Sequence, residues 1–162
     1  MFHRFQYESE YYPTLSRVPL DVRMKFDVTG TKISLKAWLA FDFAERTILC
    51  HLPIESAEER RAFAAYMDFL SRRYRDGPVE TMAAMSSALW SPSNLPEPVI
   101  EKSASRAGAV TSEEWARWQS HERYALYKTC TSTKQPEAFV QVLAELRASK
   151  SAQRKVDDDV SG

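Results

Sequence analysis

Apolar residues recur along this chain at three- and four-residue intervals, the spacing that lines one face of an α-helix. After Pro19, the residues Val22, Met24 and Phe26 supply such a face, and Gly30 supplies a left-handed closing residue. Ser34 stands as an N-cap ahead of a helix carrying Trp38 and Phe41. Asp42 with Glu45 forms a further capping signal, which predicts a break after Phe41 and a new helix through Ala44, Ile48, Leu49 and Leu52, stopped by Pro53. Ser56 opens a fourth helix in which Phe63, Tyr66, Met67 and Leu70 share a face. The same order then returns. A helix from Val99 to Arg106 closes at Gly108, Thr111 and Glu114 form a capping box ahead of Trp115 and Trp118, Ser120 caps the next helix, and Pro136 begins a last one with Phe139, Val142, Leu143 and Leu146.

The recurrence extends to individual residues. KAWLAFDFAER at 36–46 is echoed by EEWARWQSHER at 113–123, so that Trp115, Trp118, Glu122 and Arg123 each follow Trp38, Phe41, Glu45 and Arg46 by 77 positions. Ile33 with Val110, Ser34 with Thr111 and Leu49 with Leu126 keep that offset. It slips by one at Gly30 with Gly108 and returns at Lys25 with Lys102 and Val22 with Val99, as a compensated insertion at a turn would leave it. The expected fold is all-α: a single globular helical domain over 1–148, built from two tandem pseudo-symmetric repeats of about four helices each. Repeat one spans about 14–75 and repeat two about 99–148, joined by a crossover loop, 76–98, that holds Pro78, Pro92, Pro96 and Pro98. Trp90 is expected to anchor that loop against one repeat. Residues 149–162 have no apolar periodicity and read as a disordered tail, and the FHRFQY opening reads as an extended arm on the helices. No segment signals a strand.

Charge narrows the range of partners. The 162 residues carry 22 basic and 22 acidic side chains, so no global field draws the chain toward nucleic acid or an anionic membrane. Its apolar runs are short, and MFHRFQYESEYY lacks the basic and apolar regions of an export signal, which predicts a soluble cytoplasmic protein. Cys50 and Cys130 form no framework and no CxxC pair, as suits thiols kept reduced.

Candidate chemistry is sparse. His3, His51 and His121 are scattered, and Cys50 and His51, as neighbours on a helix, diverge by about 100°. Cys130 reads as an inert thiol at a helix end. No phosphate-cradling glycine motif is present, and the helices around Trp38 and Trp115 lack the clustered basic residues of a DNA-recognition helix. No catalytic, cofactor-binding or metal-ligating residue is assigned. Trp38, Phe41, Trp115 and Trp118 read as core, while Glu45 and Arg46, with Glu122 and Arg123, read as cap and clasp, Arg46 pairing with Asp21 or Asp27. The one surface feature is the basic helix end RRYR, where Arg72, Arg73 and Arg75, together with the Trp90 loop, are the expected docking patch for an acidic partner or an anionic pterin precursor.

The run VRMKFDVTGTKISLKAWLAFDFAERTILCHLP, preceded by LSRVPLD and echoed by EKSASRAGAVTSEEWARWQSHERYALYK, resembles the nitrate reductase-associated protein family. The likeness covers roughly residues 2–148 and is most specific at Val18–Asp27, Gly30–Trp38 and Glu45-Arg46. It implies a small soluble bacterial protein, encoded near assimilatory nitrate reductase and molybdopterin synthesis genes, that supports reductase activity. Thr29 stands where the family often has a cysteine before the glycine, so the resemblance carries no thiol chemistry to this chain. The expected function is therefore that of a non-catalytic accessory protein partnered by nitrate reductase or a molybdenum-cofactor-related protein. The alternatives are a pterin-binding or enzymatic role in a cleft between repeats lined by Lys25, Arg46 and Arg123, and, more distantly, DNA-binding regulation.

Overall fold

In the computed structural model, residues 1–161 are described, and they fold as eight α-helices with one two-stranded ribbon. The chain divides into two units. The first comprises Met1–Arg4 and Glu8–Ser87; the second comprises Phe5–Tyr7 and the chain from Ala88 onward.

The first unit contains α1 (Leu20–Thr29), α2 (Leu35–Ala40), α3 (Phe43–His51) and α4 (Ala57–Arg75). The starts of α2, α3 and α4 follow from local hydrogen bonds. The Ser34 hydroxyl accepts from the Ala37 N–H at 3.1 Å, and Asp42 and Glu45 exchange both bonds of a capping box, so the chain turns sharply between α2 and α3. Ser56 and Glu59 make the same box at the start of α4. Helical spacing then directs Val22 and Phe26 of α1, Trp38 of α2, Leu49 of α3 and Phe63 and Met67 of α4 into one core.

The second unit contains α5 (Glu97–Arg106), α6 (Ser112–Arg117), α7 (Ser120–Cys130) and α8 (Ala138–Val160). Val99, Trp115, Leu126, Phe139 and Leu143 are among its fully buried side chains, together with Trp90 from a 3-10 turn at Ser87–Trp90. Helix order and length run parallel to the first unit: α1 and α5 have 10 residues each, α2 and α6 have six each.

Several local expectations are corrected. Ser120 is the first residue of α7 rather than its cap; Gln119 takes the cap position, its N–H donating to Glu122 at 2.8 Å, while the Ser120 hydroxyl accepts from the Trp90 indole. At Thr111 the box is half formed, because the Glu114 carboxylate turns to Arg147 in a two-bond pair at 2.9 Å each. The opening segment forms a 3-10 turn at Gln6–Glu8, with Phe5 buried and the N–H groups of Gln6 and Tyr7 donating to the Glu145 carboxylate. Of residues 149–162, expected to lack structure, 149–160 continue α8 as an exposed helix, since no glycine or proline interrupts residues 138–160, and Gly162 lies outside the described residues.

The ribbon pairs β1 (Thr31–Lys32) with β2 (Glu80–Thr81) in antiparallel register, and Gly30 sits at its root. Gly30 has a φ of +70°, and a Cβ built there meets the Met82 carbonyl oxygen at 2.7 Å. Gly108 has a φ of +83° but open space around it. Gly30→Ala should therefore cost the left-handed penalty of about 1–2 kcal/mol and a displaced ribbon besides, whereas Gly108→Ala costs the first alone. Urea unfolding of the two variants side by side checks the difference in midpoint.

Candidate interaction surface

The paired Trp and Glu-Arg residues of the two units hold irregular backbone rather than forming an open site. Trp38 donates its indole N–H to the Leu15 carbonyl at 2.8 Å, and Trp115 donates to Ser91 at the same distance. Arg46 Nη1 donates to the carbonyls of Thr14 and Leu15 at 3.0 Å each. Arg123 Nε donates to Trp90 at 2.6 Å, and its Nη1 reaches the Trp118 carbonyl. Buried carbonyls outside helices and strands need donors from side chains, and these four residues supply them. The expected pairing of Arg46 with Asp21 or Asp27 is not formed; the segment at Thr14 and Leu15 engages that guanidinium instead.

Lys25 follows the same rule. It is 2% exposed, and its ammonium donates to Leu49 and Cys50 at 3.2 and 2.6 Å, capping the C-terminus of α3, as Lys102 caps α7 through Cys130 at 3.2 Å. Lys25, Arg46 and Arg123 thus each serve backbone carbonyls. Around Lys25 lie Asp21, whose Oδ2 accepts from the His3 N–H at 3.1 Å, and the Cys50 thiol, which burial pushes up to about 12. That thiol is an inert core group. Cys130, half-buried, donates its S–H to the Tyr127 carbonyl, and burial raises its pKa too. Among the described residues no group of three or more His, Cys, Asp or Glu is arranged to hold a metal, and no helix is long and apolar enough to cross a membrane.

The residues expected at the docking patch have separate surroundings. Arg72, Arg73 and Arg75 are exposed in the first unit, facing Asp68 at 2.8 Å, Glu45 at 3.8 Å and Glu80 at 3.1 Å. Trp90, in the second unit, is 1% exposed, with its ring 5.0 Å from that of Tyr124 and 5.6 Å from that of Tyr127. As placed, it is a core residue and offers no surface to a partner.

The first unit also exposes large apolar side chains. Leu35 and Leu39, one turn apart on α2, are 51% and 47% exposed, Phe43 at the start of α3 is 50% exposed, and Phe69 of the neighbouring α4 is 55% exposed with its ring stacked on Tyr66. The second unit is an internal control on whether the architecture requires them. At the corresponding positions it has Ser112, Ala116 and Ser120, and Phe69 corresponds to Glu145 when α4 and α8 are matched through their buried rings. The helices form without these large apolar side chains, so the fold does not explain them. Hydrophobic periodicity alone misses the four residues, because a helix face read from one unit looks like core; only the contrast between the two units marks them as surplus.

The conserved nitrate reductase-associated protein family matches residues 4–146, most of the chain. The chain belongs to this family. Neither the curated proteins nor the solved structures gave a match. Exposed large apolar side chains on a packed helical unit are candidates for contact with a partner.

Proposed function

We propose that this nitrate reductase-associated protein is a non-catalytic accessory factor that contacts nitrate reductase directly and supports its maturation or activity in the cytoplasm during nitrate assimilation. The observation that carries this reading is the exposed set Leu35, Leu39, Phe43 and Phe69, which the second unit replaces with Ser112, Ala116, Ser120 and Glu145. Covering a Leu or Phe side chain contributes about 1.5–3 kcal/mol, so a few of them suffice to anchor a partner. Lys32 and Lys36 lie exposed beside Leu35, and Arg72 and Arg73 follow Phe69 on α4, which favours a partner whose apolar patch is edged with acidic residues.

The family's name and the engagement of Lys25, Arg46 and Arg123 by backbone carbonyls both favour contact over chemistry. We also infer that the two units descend from one duplicated helical unit; the offset of 77 at Val22, Lys25 and from Ile33 to Leu49, with the recurring indole and lysine bonds, supports it.

Tagged chain from nitrate-grown cells should co-purify nitrate reductase, and a strain lacking the chain should lose reductase activity. Lost activity without association would contradict a contact role and favour a catalytic or regulatory one.

A further inference from the structure

The second unit differs from the first at one more place, and there it opens a cavity. In the first unit, Tyr74 of α4 packs its ring 5.7 Å from Phe41 and donates its hydroxyl to the Glu45 carboxylate at 2.5 Å. Matching the buried Phe63, Met67 and Leu70 of α4 to Phe139, Leu143 and Leu146 of α8 sets an offset of 76, which places Lys150 where Tyr74 stands. The contact confirms the match, since the Lys150 ammonium lies 3.9 Å from Glu122, the counterpart of Glu45. A flexible lysine does not fill the space of a phenol ring. Over Trp118, the counterpart of Phe41, a cavity of about 450 Å³ remains, lined by Glu114, Arg117, Trp118, Arg147, Lys150 and Arg154 among others.

Three features of this cavity point the same way. Its volume falls in the range of small-molecule sites. Arg147 is held by Glu114 and by the carbonyls of Ala107 and Gly108, so it is a fixed wall; Arg117 and Arg154 also line the cavity, and neither has a hydrogen-bond or ion-pair partner among the described residues. Neither of these two is explained by the helical scaffold. Arg117 corresponds to Ala40, and Arg154 lies on the part of α8 that extends past the counterpart of the last residue of α4. That extension supplies Arg154 and Asp157 to the lining, which gives the exposed end of α8 a role. The four positive charges of Arg117, Arg147, Lys150 and Arg154 exceed the three negative ones of Glu114, Asp157 and Glu122, which faces Lys150.

We propose that the cavity between α6 and the end of α8 binds a small, multiply charged oxyanion, a phosphate ester or a polycarboxylate, held by the guanidinium groups of Arg117 and Arg154 and by Lys150. Guanidinium forks match the paired oxygens of either group, and the Trp118 ring beneath them excludes water from one side. This site is separate from the apolar face of the first unit and does not depend on it.

The test is calorimetric titration of the full chain at low salt with inorganic pyrophosphate and, separately, with citrate. The expected result is saturable one-to-one binding of at least one of them, weakened at least about tenfold in Arg117→Ala and in Arg154→Ala. The preferred probe of the two identifies the ligand class. Lys150→Tyr, which rebuilds the packing of the first unit, should abolish binding while leaving the thermal midpoint unchanged or higher. Absence of saturable binding by both probes, or binding that persists unchanged in all three folded variants, would overturn the proposal.

Discussion

Trp115→Ala should lower the unfolding free energy by roughly 3–5 kcal/mol, and Trp38→Ala by a similar amount. Both rings are completely buried, so truncation removes their packing and leaves a cavity that the surrounding helices close only in part. A second loss is specific to the Trp115 indole. Without its N–H the Ser91 carbonyl loses that donor, at about 1–3 kcal/mol, whereas the Leu15 carbonyl facing Trp38 keeps its bond from Arg46. Trp115→Phe separates the two, keeping most of the apolar volume and losing the bond, and should fall between wild type and alanine. Urea unfolding followed by circular dichroism measures all three. A loss below about 1 kcal/mol for either alanine variant would remove these tryptophans from the core role assigned to them.

Stability should fall as pH rises from about 4.5 to about 7, and Glu8 is the reason. Its carboxyl is buried near the start of α1, and burial pushes its pKa up to about 7. Bonds from the Leu20 N–H and the Tyr12 hydroxyl, with the nearby Arg23 charge, oppose that shift without cancelling it. The sign follows from which state gives up its proton first. Below the unfolded pKa both states are protonated and the group has no pH-dependent effect. Between the two pKa values the unfolded chain ionises while the folded chain holds the proton, so each unit of pH draws the equilibrium toward unfolding. The whole shift corresponds to about 3 kcal/mol at most. Burial raises the Asp21 carboxyl in the same direction, which adds to the slope. Glu8→Gln should flatten the slope and match or exceed wild type at pH 8, while gaining nothing at pH 4. A pH series of urea midpoints for the two proteins decides it; a wild-type midpoint that climbs across the window would refute the assignment.

The parts of the fold legible from sequence were those set by short-range chemistry. Ser34, Asp42 with Glu45, and Ser56 mark helix starts because a cap acts over three residues, and the turn from α2 to α3 follows directly. What sequence did not reveal depends on distant partners. Ser120 looked like a cap until the Trp90 indole, 30 residues away, took its hydroxyl. Arg46 looked like an ion-pair partner, but the carbonyls it serves belong to a loop with no periodic signal. The ribbon of β1 with β2 has two residues per strand, too few for alternation to register. Of the surface, the basic end of α4 was visible as a charge run, while the apolar face of the first unit and the cavity of the second emerge only when corresponding positions of the units are compared.

Direct binding between the purified chain and purified nitrate reductase is the measurement that bears most closely on the accessory role. Wild-type chain should bind, and Leu39→Asp combined with Phe69→Asp should weaken binding at least about a hundredfold, since two apolar anchors would be replaced by charges facing a buried patch. Both side chains are exposed, so circular dichroism should show the double variant folded. Binding that is absent in wild type, or unchanged in the folded double variant, would contradict the docking role assigned to this face.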